Sequence, residues 1–161
     1  MSLTTFLILV NAARRLEKEK DNNLGLQWIF CGTGSRLIEF QKKAKDLTTV
    51  FFPGWIKKIQ IQSLMQMSQI GIAPYAANTK MSLPNKPFEY MAGGLTILSS
   101  IQNELPDILQ NYACGLNYIA DDENDLFEKV TYLKNNPKEL LKMKTNSRKL
   151  FLEHRSADSP I

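Results

Sequence analysis

Five short apolar runs, each closed by glycine, proline or polar residues, alternate along this chain with longer stretches whose apolar residues recur every three or four positions. The runs are Gln27–Cys31, Val50–Phe52, Ile70–Tyr75, Leu95–Ser99 and Leu116–Ile119. A short apolar run between breakers reads as a buried strand, and a 3.6-residue period reads as an amphipathic helix. Residues 5–20 carry Phe6, Val10, Ala13 and Leu16 at helical spacing, stopped by Asp21-Asn22-Asn23 and Gly25. Residues 35–46 carry Leu37, Phe40 and Ala44, and 59–67, 85–92 and 105–112 read the same way. Asp121, Asp122 and Glu123 open a further helix, where acidic groups suit the positive end of the helix dipole, and Leu126, Val130 and Leu133 mark its buried face. Asn136-Pro137-Lys138-Glu139 starts the last one, with asparagine as cap and proline at the first helical position. Its stripe is Leu140, Met143, Leu150 and Phe151, and the tail from Ser156 is expected to fray.

Strands alternating with helices across short loops predict an α/β fold. The expected architecture is a doubly wound, Rossmann-like parallel sheet with helices on both faces, in a single domain spanning 1–161. Ligands of such sheets sit outside the carboxyl ends of the strands. The loops of interest are therefore Gly32–Ser35, Pro53–Lys57, Tyr75–Lys86 and Ser99–Glu104.

Composition removes other classes. Hydrophobic residues at 43% exclude disorder, and no stretch reaches the length of a membrane span. Two cysteines and one histidine cannot build a disulfide scaffold, a four-thiolate zinc site or a histidine cluster. With no secretory core near the start, a reducing cytoplasm is the expected compartment. A net charge of +4 does not call for nucleic acid. Residues 134–155 hold seven of the cations against Glu139 and Glu153. That run reads either as a solvated helix face or as a patch that leans on anionic phospholipid at the inner face of a membrane.

Cys31 and Cys114, beside strand ends, read as small core residues, and Trp28 also reads as core. The Met65, Met67, Met81 and Met91 set reads as packing, and His154 as a solvated surface residue. Trp55, after the second strand, is placed either to fill core or to stack on a base.

Two segments carry chemistry. Gly32-Thr33-Gly34-Ser35 follows a strand and opens a helix, where glycines let a phosphate approach and free amides favour an anion. A plain tight turn is the competing reading, since the third glycine of a dinucleotide fingerprint and the Walker lysine are both missing. The second segment runs from Ser82 to Gly94. It places Lys86 and, three residues later, Glu89 in the first turns of a helix at a strand's carboxyl end. Lys86 can meet phosphate as a point charge, and Glu89 can accept both hydroxyls of a ribose diol. The same two residues could equally form a surface ion pair of little consequence.

The run Leu83 to Ser99 resembles the nucleotide-sugar signature of retaining GT-B glycosyltransferases of glycosyltransferase family 4 (group 1). Further landmarks fall in order: Cys31-Gly32-Thr33-Gly34, Phe52-Pro53-Gly54-Trp55-Ile56, Ile72-Ala73-Pro74-Tyr75, Pro106-Asp107-Ile108 and Gly115-Leu116. The resemblance extends from about Phe6 to Phe151. It implies that Glu89 is the second acid of a Glu-x7-Glu motif and binds the ribose hydroxyls. It also implies that backbone at Trp55 and Ile56 contacts the base. Ser82, Leu83 and Pro84 would line the donor sugar and diphosphate, beside Lys86, Gly32 and Gly34, and Gly93 and Gly94 would allow close packing beneath that loop. The first acid's position holds Met81, which puts the donor sugar in question. An Arg/Lys pair for the diphosphate, expected after the domain's first strand, would precede Phe6.

The resemblance therefore implies the donor-binding half of a two-domain enzyme, without its first strand and without the N-terminal acceptor domain, and inactive by itself. The full enzyme would move a sugar from a UDP-, GDP- or ADP-sugar, with retention, to a polysaccharide or lipid-linked glycan such as lipopolysaccharide or capsule. No metal and no further cofactor is expected, and Asp121-Asp122 reads as helix capping. Two other functions stay open: a nucleotide-sugar epimerase of the same architecture, and a non-catalytic flavodoxin-like binding module.

Overall fold

A computed structural model describes residues 1–19, 25–80 and 83–156. Seven helices and five strands follow in the order α1 (Leu3–Lys18), β1 (Trp28–Cys31), α2 (Leu37–Lys43), β2 (Val50–Gly54), α3 (Lys58–Met67), β3 (Ile70–Ala73), α4 (Asn85–Ala92), β4 (Thr96–Ser99), α5 (Leu105–Asn111), β5 (Gly115–Asn117), α6 (Glu123–Asn135) and α7 (Pro137–Ser156). Every expected element is present, with ends displaced by a few residues. The second helix is the most shortened: it starts at Leu37, and Ala44 beyond its end is buried. The stop signal at Asp21–Asn23, Met81, Ser82 and the tail after Ser156 lie outside the described residues.

All strand pairings are parallel, but they form two ladders instead of one. β1 pairs with β2, starting at Trp28 with Val50, and the register shifts between Ile29 and Cys31. β3, β4 and β5 form the second sheet, with Ile72 beside Leu98 and Leu98 beside Leu116. Among the described residues the single continuous sheet expected from the alternation is thus in two pieces, and β1 and β3 each have a strand partner on one edge.

Packing bridges the interruption. Leu9, Ala12, Ala13 and Leu16 of α1 share one buried cluster with Trp28 of β1, Leu98 of β4 and Leu126 and Val130 of α6. Ile70 and Ile72 of β3 pack against that same cluster. Beyond it, Phe6 stacks on Phe40 with ring centroids 4.0 Å apart, and Phe30 on Phe52 at 5.5 Å, which fixes α1 and α2 over the β1–β2 pair. The opposite face carries α4, α5 and α7 around Met91, Ile97, Leu105, Leu109 and Leu150. Alternate residues of β4 serve the two sides, Leu98 one and Ile97 the other, as the period of two requires. Helices therefore cover both faces of the three-stranded sheet, the expected α/β arrangement, while Ile29, Cys31, Phe51 and Pro53 leave one face of the β1–β2 pair exposed.

Local signals explain the helix starts. Ser2 Oγ accepts from the Thr5 amide at 3.1 Å and caps α1. Asp122 caps α6, accepting from the Asn124 and Asp125 amides at 2.9 and 3.1 Å, as its place in the sequence implies. Asp121 does something else: it sits at φ +62° and accepts from the Ala77 amide at 3.3 Å. The cysteines divide as well. Cys114 is buried as expected, whereas Cys31, read as core, is exposed, because it shares with Ile29 the face of β1 that is left open. Met91 packs inside, but Met67 is 75% exposed at the end of α3, which buries no residue fully.

Candidate functional site

The carboxyl ends of the strands lie on one rim, and the candidate residues cluster along it. β3 ends at Ala73, and its continuation is tied to β4 by two adjacent serines. Ser100 Oγ accepts from the Tyr75 amide at 2.7 Å and donates to the Tyr75 carbonyl at 2.8 Å. Ser99 Oγ donates to the Ala73 carbonyl at 3.2 Å. Both serines are buried.

α4 begins at this rim. Pro84, its N-cap residue, has extended backbone and no side chain that caps the helix, so its first amides are not taken by a capping side chain. Pro87 and Met91 anchor the inner face. Tyr90 packs against Gly71, where any Cβ would collide with its ring, and its hydroxyl donates to the Ile72 carbonyl at 3.2 Å. Burial, with smaller contributions from Glu89, Tyr75 and Cys31, pushes the Tyr90 phenol up to about 12. This phenol is therefore a neutral donor at physiological pH.

Lys86 and Glu89 occupy the outer face of the first turns. Lys86 Nζ lies 3.2 Å from Glu89 Oε2, and both side chains are more than half exposed. Burial raises the Cys31 thiol, and the field of Lys86 opposes it. Burial, and then the charge of Glu89, raise the Tyr75 phenol. The pair is exposed to solvent at the start of α4.

The remaining sequence candidates distribute unevenly. Leu83 packs against the α4–α5–α7 cluster and Pro84 is buried. Trp55 is 69% exposed after β2, and Ile56 is half-buried. Gly32 stands at φ +126°, and its amide donates to the Gly54 carbonyl at 2.7 Å. α2 starts three residues beyond Gly34 without a side-chain cap. Gly34 is exposed and its carbonyl accepts from the Leu37 amide. Gly93 fits the close-packing role, since a Cβ there would press on Met65 and Leu95.

Sequence reasoning missed Ser99, Ser100, Tyr75, Tyr90 and Asp121. The available signal was the pair of hydroxyls ending an otherwise apolar strand, at the edge where ligands bind. Among the described residues, no group of three or more His, Cys, Asp or Glu side chains is disposed to hold a metal ion. Two shallow grooves are present, one along α7 and one on α2 beside Ser35, Ile38 and Lys42.

Comparison with known proteins fits this geometry. Sucrose-phosphate synthase from Thermosynechococcus elongatus superimposes with a TM-score of 0.72 at 17% identity, over 93% of this chain and 38% of its own. Anabaena HepE, in complex with UDP, gives 0.71 at 12%, over 91% and 40%. The catalytic domain of cholesterol-α-glucosyltransferase from Helicobacter pylori gives 0.70 at 16%, over 91% and 88%. These likenesses show a shared fold, that of the GT-B glycosyltransferases. The chain spans about 40% of the length of the first two proteins. No curated protein sequence matches it. The sequence profile described as "Glycosyl transferases group 1" matches residues 4–136, and the chain belongs to that family.

Proposed function

We propose that this chain is the donor-binding half of a retaining glycosyltransferase that takes a nucleoside diphosphate sugar. In this reading the free amides at the start of α4 and the Lys86 ammonium meet the diphosphate. Glu89 accepts the ribose hydroxyls, and backbone at Trp55 and Ile56 meets the base. Ser82, Leu83 and Pro84 line the sugar. The C1–oxygen bond to the diphosphate breaks, an acceptor hydroxyl oxygen bonds to C1 on the same face, and its proton leaves with the phosphate or to solvent. Stabilising the departing diphosphate is the main catalytic demand, and cations with helix-terminal amides supply it. The acceptor is a polysaccharide or lipid-linked glycan. UDP is the first nucleotide to test, since HepE is recorded with it.

The observation that carries this reading is the placement of Lys86 and Glu89, 3.2 Å apart and exposed, on an uncapped helix start at the strands' carboxyl rim. Their exposure suits a site completed by a second domain.

Strand topology supports a domain larger than the present chain. α1 and α2 lie on the same face. Crossovers of one hand on one face step in one direction, so a strand leading into α1 would lie on the edge of β1 that β2 leaves free. β3 leaves free an edge of its own, and both border the cluster under α1. We infer that one parallel strand from preceding polypeptide fills this slot. It would bring the basic pair for the diphosphate, and an acceptor-binding domain would precede it. The chain alone is then expected to transfer no sugar.

Thermal unfolding with UDP, GDP and ADP tests the proposal. A ligand at a hundred times its Kd stabilises by ~2.7 kcal/mol, which raises the melting temperature. One nucleotide should do so, and Glu89→Ala and Lys86→Ala should each remove the rise. No shift with any of the three, together with no saturable change in Trp55 fluorescence, overturns the reading in favour of a binding module of another kind.

A further inference from the structure

We propose that Asp121 is a positioning residue for the donor site: from the turn after β5 it holds the segment that follows β3 on its course toward α4. The inference rests on the donor reading above and names a residue through which that site is held. β3 ends at Ala73 and α4 begins at Asn85. The direction in which the chain leaves β3 is set by what grips its backbone. Ser100 takes both the amide and the carbonyl of Tyr75. Two residues further on, Asp121 Oδ2 accepts from the Ala77 amide at 3.3 Å. The segment then turns, the Thr79 amide donating to the Ala76 carbonyl at 3.0 Å. The ends of β4 and β5 thus contribute one anchor each.

The turn that carries Asp121 is itself fixed. The Tyr118 amide donates to the Ser99 carbonyl at 2.8 Å, which ties the end of β5 to the end of β4. Asp125 Oδ2 accepts from the Ile119 amide at 2.6 Å, and the Asp122 amide donates to the Ile119 carbonyl at 3.1 Å. The neighbouring acids are engaged elsewhere: Asp122 caps α6, and Glu123 accepts from Asn11 and pairs with Arg15. Asp121 reaches across to the segment after β3 instead.

Its backbone conformation points the same way. Asp121 stands at φ +62°, where glycine would sit without steric cost. A side chain kept in that conformation, at the rim where the strands end, argues for a use of the side chain. Holding a loop in its bound course before the ligand arrives removes an ordering cost from binding. The expected effect of Asp121 is therefore on nucleotide affinity. A residue that served folding alone would change the stability of the unliganded chain and leave affinity as it is.

Asp121→Gly and Asp121→Asn test it. Both residues tolerate left-handed backbone, and only asparagine keeps an acceptor oxygen on its side chain. In the unliganded chain the Ala77 amide should exchange with solvent several-fold faster in Asp121→Gly than in the parent, as read by NMR. The melting temperature should stay within a few degrees. Calorimetric titration with UDP, GDP and ADP should give a Kd roughly two- to tenfold weaker for Asp121→Gly, the worth of one net hydrogen bond. Asp121→Asn should restore most of that affinity. Equal Ala77 exchange in the parent and the glycine variant overturns the proposal. So does an asparagine variant as weak as the glycine one, or a large fall in unliganded melting temperature alongside the loss of affinity. A parent that binds none of the three nucleotides overturns the donor reading, and this proposal with it. A parent that binds one of them no better than Asp121→Gly overturns this proposal alone.

Discussion

Ser100 holds both ends of the Tyr75 main chain, its Oγ accepting from the amide at 2.7 Å and donating to the carbonyl at 2.8 Å. One buried hydroxyl thereby sets the direction in which the chain leaves β3 toward the start of α4. Ser100→Ala leaves a partly buried amide and carbonyl without their partner, at a cost of about 1–3 kcal/mol. The urea midpoint should fall accordingly with an unchanged slope. An unaltered midpoint would mean that the turn is held by other contacts.

The elements were legible because each is a local pattern. Leu126, Val130 and Leu133 announce their helix at a period any reader can count, and all three are buried. Asn85–Ala92 has the bounds its sequence predicts, with Gly93 and Gly94 following it. Pairing was less legible, because nothing in Trp28–Cys31 or Ile70–Ala73 states which strand lies on a given edge. The break between the ladders is a relationship between segments distant in sequence. The same holds at the rim: Ser99 and Ser100 look like the polar end of a strand, and their partners, Ala73 at the end of β3 and Tyr75 beyond it, lie 26 and 25 residues away. Cys31 differs from its reading for the same reason, since its burial depends on whether a distant segment covers the face of β1 that it shares with Ile29.

Gly115 begins β5 directly against Ile97, and a Cβ there would run into the Ile97 carbonyl. Backbone of a central strand cannot yield as a flexible side chain can. Gly115→Ala should therefore destabilise by ~3 kcal/mol or more, at or above the usual range for overpacking. Gly94→Ala meets only the Arg148 stem at 3.7 Å, and its cost comes from φ +69° alone. It should lose about 1–2 kcal/mol. Thermal denaturation of the two variants checks the order, and a Gly115→Ala protein as stable as the parent would contradict the close approach.

Lys86 and Glu89 should matter little for folding. Their ion pair is exposed on both sides, and such pairs contribute ~0–1 kcal/mol. The double replacement by alanine should leave the urea midpoint within that range while abolishing any nucleotide-dependent rise in melting temperature. Loss of stability comparable to Ser100→Ala would assign the pair a structural role instead.

Acid sensitivity should concentrate where α1 meets α2. Arg14 Nε and Nη2 donate to the two Asp46 carboxylate oxygens at 2.8 and 3.0 Å, and Nη2 also donates to the Lys43 carbonyl. The hydrogen bonds from this guanidinium lower the Asp46 carboxyl from its ordinary 3.8 to about 2. Glu17, on the same helix, is shifted down as well: desolvation pushes it up, but bonds from Thr49 and Thr48 outweigh that together. A depressed carboxylate stabilises the fold above its unfolded value and loses that contribution as pH falls through the folded value. For Asp46 the window therefore runs from about pH 4 down to about pH 2, and Glu17 adds to its upper part. Urea midpoints measured between pH 2 and pH 7 should fall more steeply in the parent than in Asp46→Asn, with the two curves converging near pH 2. Parallel curves across that window would show that the Arg14–Asp46 clasp contributes nothing to the folded state in solution.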